Sequence, residues 1–152
     1  MHQPPKILFL PVKDNSSKIH LIHRCVHKTI EKSNKMLITV PNEEAAKYMD
    51  ALLWRLPPDS FLPHAIIQKP TDDWVAITTV TDQNLNLASC LFNLCIHLSP
   101  ISQQFKEIYE FYDETTAEKS QLTQDKIKAY QAQGLSKHVM ILTDHELKQK
   151  FS

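Results

Sequence analysis

The residues of this chain best suited to metal or acid–base chemistry are its histidines and cysteines. His20, His23 and His27 fall within one stretch of helical periodicity, and His23 and His27 stand four apart. At that spacing two imidazoles on one helix face can chelate a divalent cation. On helical geometry the three rings share a sector of about 60° beside the apolar stripe. No HExxH pattern and no fourth ligand accompany them. The cluster therefore admits two readings, a small metal-assisted α/β enzyme or a solvated set of boundary histidines. Asp72-Asp73 and Asp144-His145 are acid–base-capable pairs, but each lies in a loop or helix start, where such residues cap backbone N–H groups. No GxSxG motif is present. Cys25, Cys90 and Cys95 form no CxxC pair, and Cys90 and Cys95 are five apart, which on one strand places them on opposite faces. All three read as small buried apolar side chains.

Gly134 is the only glycine. Phosphate-cradling loops need glycines so that the backbone can approach the phosphates, so neither GxGxxG nor GxxxxGK[ST] exists here. No cofactor is called for. Lysine plus arginine and aspartate plus glutamate both number 17, a formal net charge of zero. A general nucleic-acid binder carries a basic surplus, so direct nucleic-acid binding is not expected. With 42% hydrophobic residues the chain can build a core. No apolar run is long enough to span a bilayer, and Met1-His-Gln-Pro-Pro-Lys6 lacks the features of a signal peptide, so a cytoplasmic location is expected.

The elements that must position any site follow from periodicity. Lys6–Val12 reads as a first strand with Pro11 near its end. Asp14 to Ser17 supplies N-cap chemistry for a helix through about Lys32, burying Ile19, Ile22, Val26 and Ile30. Met36–Val40 reads as a second strand. Asn42 caps the next helix, whose stripe is Ala45, Tyr48, Met49, Leu52 and Leu56. Trp54 projects about opposite that stripe. A proline-punctuated loop with Phe61 and Leu62 follows. Together with Trp54 these residues form either a partner-binding patch or a loop folded back on its own chain. Strands are expected at Trp74–Val80, Cys90–Leu98 and Lys106–Tyr112, the last half-exposed. A long polar helix then ends at Gly134, with Leu122 and Ala129 on one side and Gln124, Ile127, Lys128 and Gln131 on the other. The order implies one α/β three-layer sandwich with a mostly parallel sheet, mononucleotide-binding-like without a phosphate loop.

The block Leu53-Trp54, then Pro58-Asp59-Ser60-Phe61-Leu62-Pro63-His64, resembles a signature of the chi subunit of bacterial DNA polymerase III. A second block resembles the same family: Glu107-Ile-Tyr-Glu-Phe111, then Lys128-Ala129-Tyr130 and Gly134. The resemblance covers most of residues 1–152 as a single chi-like domain, with a divergent tail over 135–152. It implies a non-catalytic accessory subunit bridging the clamp loader and single-stranded DNA-binding protein. Trp54, Phe61 and Leu62 match the apolar block attributed to the psi subunit, or to a helicase partner in some chi proteins. The acidic, Phe-ending tail of single-stranded DNA-binding protein would meet Tyr112, Gln124, Ile127, Lys128 and Gln131. Ile127 stands where the family often has tyrosine, and Gln124 and Gln131 where it can carry arginine. Two cations and a ring are thereby missing, and weaker tail binding, or help from Lys126 and Lys137, is implied.

Overall fold

Each apolar run long enough to be buried on both faces becomes a strand of one parallel sheet. The computed structural model describes residues 3–55 and 64–151. Its elements are β1 (Lys6–Val12), α1 (Asn15–Glu31), β2 (Met36–Thr39), α2 (Glu43–Trp54), β3 (His64–Ile66), β4 (Val75–Thr78), β5 (Cys90–Asn93), β6 (Glu107–Asp113), α3 (Ala117–Ala132), β7 (Val139–Ile141) and α4 (Asp144–Phe151). The strands are ordered β3-β4-β2-β5-β6-β1-β7, and every pairing is parallel.

The period-2 alternation of the strands divides the core into two layers. Leu8, Leu10 and Val12 pack with Ile22, Val26, Met49, Leu52 and Phe151, so α1, α2 and α4 cover one face. Ile7 and Phe9 pack with Phe105, Ile108, Tyr130 and Leu135, so α3 covers the other. This is the expected three-layer sandwich, with all strands parallel.

Local chemistry sets the ends. Asp14 accepts the Ser17 N–H at 2.7 Å and Asn42 the Ala45 N–H at 2.8 Å, as N-caps do. Leu142 N–H donates to the Phe9 carbonyl, so Phe9 and Pro11, two apart, both face β7. Pairing with β7 ends at Phe9, and the missing N–H of Pro11 costs no ladder bond. Gly134 has φ +77. Its N–H donates to Gln131 O and that of Leu135 to Tyr130 O, the paired bonds of a Schellman motif. A Cβ there would meet nothing within 4 Å, so Gly134→Ala is expected to cost only backbone strain, about 1–2 kcal/mol. A thermal melt of the variant checks this.

Several expectations need correction. The strand placed over Cys90–Leu98 stops at Asn93, whose side chain accepts the Cys95 N–H and turns the chain. Residues 64–66 form an edge strand where a loop was expected. The buried face of α2 is Ala46, Met49, Leu52 and Leu53, while Tyr48 is exposed, so the stripe is rotated by about one position. The buried face of α1 runs through Leu21, Ile22, Cys25, Val26 and Thr29, with Ile19 and Ile30 at its margins. Strand β6 is not half-exposed: it lies between β5 and β1, and Glu110 within it is fully buried. The apolar run Val139–Leu142 and the charged helical pattern Asp144–Lys150, by contrast, are where the sequence places them, as β7 at the sheet edge and α4 on the first face. Among the described residues no helix is long and apolar enough to cross a membrane.

Candidate functional site

The helix that carries the expected tail-binding residues is fixed from beneath by Glu110. This carboxylate, 0% exposed, projects from β6 toward α3. Lys126 Nζ lies 2.7 Å from its Oε1, Tyr130 donates its hydroxyl to Oε2 at 2.6 Å, and Asn93 Nδ2 donates to Oε2 at 3.0 Å. Asn93 is itself held, accepting from Thr39 Oγ1 and donating to the His97 carbonyl. A buried charge is tolerable only when so paired and hydrogen-bonded. Burial, and then the neighbouring Glu110 charge, push the Tyr130 phenol well above its ordinary value, so it remains a donor.

Fixing the inner face of α3 determines what the outer face presents. Two residues beyond Glu110, Tyr112 points to the same side of the sheet, and Gln124 Nε2 donates to its hydroxyl at 3.1 Å. Ile127 is partly buried, packed with Tyr112 and Val139 against the second core layer. Lys128 and Gln131 are exposed. The structure thus brings Tyr112, Gln124 and Ile127 together as one wall, with Lys128 and Gln131 on the solvent side of the same helix. Ile141 of edge strand β7, in register with Phe9 on the α3 side of the sheet, is about half exposed and extends the surface with an apolar side chain.

Trp54 closes α2 and is 55% exposed. Its ring contacts that of His64 at 4.5 Å between centroids, and His64 Nε2 lies 3.3 Å from Asp50 Oδ1. The residues from which the chain leaves α2 and returns into β3 are therefore joined ring to ring. Phe61 and Leu62 lie outside the described residues.

A family model for the DNA polymerase III chi subunit, HolC, matches residues 5–138. The chain belongs to the chi-subunit family of DNA polymerase III. The match spans β1 through α3 and includes Trp54, Phe61, Leu62, Tyr112, Gln124, Ile127, Lys128 and Gln131. A relative from Haemophilus influenzae named DNA polymerase III subunit chi is 30% identical over 104 residues, covering 66% of this chain and 70% of the relative.

The metal-assisted alternative finds no geometric support. His23 Nε2 bonds the Leu52 carbonyl at 2.9 Å, and His27 Nδ1 pairs with Glu31 at 3.1 Å. Among the described residues no group of three histidines, cysteines or acidic residues is placed to hold a metal ion. Burial pushes the Cys25 and Cys95 thiols up and raises Cys90 to about 11, so none is a ready thiolate at neutral pH.

A salt bridge stands at the C-terminal ends of the strands, where this fold class places ligands. Lys18 Nζ lies 2.6 Å from Asp113 Oδ2. Burial raises the Asp113 pKa, but hydrogen bonds from Lys18 and Thr115 outweigh it and hold the carboxyl below its ordinary value of 3.8. A depressed folded-state pKa stabilises above the unfolded value and is lost as pH falls through the folded one. The stability advantage of wild type over Asp113→Asn should therefore be full at neutral pH and shrink as pH drops below about 4. Urea midpoints of both proteins across that range test this.

The network around Glu110 escaped sequence reading, although the spacing carried a signal. Glu107 and Glu110 are three apart, an odd separation that sends them to opposite faces of a strand. Each face of β6 is then mostly apolar, as a central strand requires.

Proposed function

We propose that this chain serves as a chi accessory subunit of the replicative DNA polymerase. It is a non-catalytic adaptor that joins the clamp-loader complex to the C-terminal tail of single-stranded DNA-binding protein. The observation that carries this reading is the family match over residues 5–138, continuous across both surfaces. The geometry supports it in two ways. The strand-to-helix turns contain no glycine, so the fold keeps its scaffold without its phosphate cradle. The residues expected to face partners lie on the outside of a helix whose inside is locked.

In this reading the acidic tail lays its carboxylates toward Lys128 and its terminal phenyl ring against Ile127 and Tyr112. Gln124 and Gln131 contribute neutral hydrogen bonds where charge would bind more tightly. Trp54, with Phe61 and Leu62, takes the psi subunit or a helicase. An exposed tryptophan followed in the sequence by Phe61 and Leu62 has the composition of an interface hot spot.

Affinity purification of intact chain and of Phe61→Ala from the native host tests the adaptor role. A polymerase or helicase component should co-purify with the intact chain and be reduced at least about tenfold with the variant, as for a hot-spot loss near 1.4 kcal/mol or more. Equal recovery with both proteins would remove Phe61 from the interface.

A further inference from the structure

We propose a second site in this protein, a crevice at the C-terminal ends of β2, β5 and β6 that binds small amphipathic anions with a compact apolar body. The crevice encloses about 590 Å³, within the range of small-molecule sites. It is distinct from both partner surfaces: Trp54, Tyr112, Ile127 and Lys128 do not line it.

Its walls are mostly apolar. Ile19 and Ile22 of α1, Met49 and Leu52 of α2, Phe111 of β6 and Leu122 of α3 face it. Tyr48 and Ile96, each 57% exposed, stand among its lining residues. Such a surface favours an apolar occupant, which gains by leaving water.

Charge complementarity selects the rest of the ligand. The charged residues lining the crevice are Lys18, Lys119, Lys126 and Asp113; with Glu110 beneath Lys126 the balance is three cations against two anions. Lys18 bonds Asp113 and Lys126 bonds Glu110. An ammonium has three donors, so each keeps capacity beyond its carboxylate partner. Lys119 is exposed to solvent.

A nucleotide, the usual occupant of this position in related architectures, fits poorly. A phosphate would need free N–H groups at a helix start. Here Asp14, Asn42 and Thr116 each cap one such N–H, and the strand-to-helix turns lack the glycine that would let a phosphate approach the others. The anion is therefore read by lysine side chains, and the apolar walls take the body.

The test uses the full chain with anilinonaphthalene sulfonate, a fluorescent apolar anion. Saturable one-to-one binding is expected, reversed by decanoate. Decanol, with the same chain and no charge, should need at least about fivefold more, and ATP should not compete. Lys119→Glu and Ile96→Glu alter exposed lining residues and should each weaken the dye by about fivefold or more, because each adds negative charge to the site. Lys69→Glu, the same charge change away from the crevice, should leave it unchanged. Circular dichroism melts confirm that each variant is folded. Absence of saturable binding, equal displacement by decanoate and decanol, or indifference to both crevice variants would overturn the proposal.

Discussion

Replacing Lys126 by Met is expected to cost about 3–5 kcal/mol of unfolding free energy, read from urea denaturation. The reason lies in Glu110, which is fully buried in the central strand β6. Lys126 supplies its cationic partner, at 2.7 Å, and is itself only 13% exposed. Without that ammonium, Asn93 and Tyr130 still donate, but the charge is left buried and uncompensated. The loss would be a large share of the total stability of a domain this size, about 5–15 kcal/mol. The same substitution at exposed Lys128 should fall within about 0.5 kcal/mol. A Glu110→Gln, Lys126→Met double variant should lose less than the sum of the singles, because removing both charges removes the orphan. If Lys126→Met matched Lys128→Met, the pair would not be holding α3.

Lys128→Glu is expected to weaken binding of the acidic tail by about tenfold or more. The substitution removes one favourable charge contact and installs a repulsive one, each near 1 kcal/mol for exposed groups about 4 Å apart. Together they exceed the 1.4 kcal/mol that a factor of ten requires. The gap between wild type and variant should narrow as salt is raised, since position 128 is exposed and both the attraction and the repulsion are screened. Gln124→Arg and Ile127→Tyr should act in the opposite direction, supplying the cation and ring that the family can carry at those positions. Isothermal titration of each variant with a peptide ending in acidic residues and Phe resolves the series. Loss of tail binding with Lys126→Met but not with Lys128→Glu would place the peptide elsewhere on α3.

How much of this was legible from residues alone depended on what the neighbours decide. Strands β1, β2 and β4 were readable because burial on both faces demands continuous apolar runs. Helix starts were readable because Asp14 and Asn42 act within three residues of themselves. Gly134 was readable for the same local reason. The edge strand β3 was not, because His64–Ile66 pairs through β4 rather than through any pattern of its own. The face of α2 was misplaced because Ala45 and Ala46 are equally apolar, and only packing makes Ala46 the buried one. In the candidate site, Tyr112, Gln124 and Ile127 were named through resemblance and lie together. What periodicity missed was the support beneath them. Lys126 and Tyr130 are four apart on α3 and converge on one carboxylate from β6, a relation visible only once helix and strand are stacked.

The reading of tail recognition rests most directly on one titration: intact chain at low salt against two peptides, the acidic tail with its terminal Phe and the same tail without it. The full peptide should bind with a dissociation constant on the order of micromolar, and the truncated one at least about tenfold more weakly. Equal binding of both peptides would reduce the contact to unspecific charge attraction, and no detectable binding of the full peptide would contradict the tail-reading role outright.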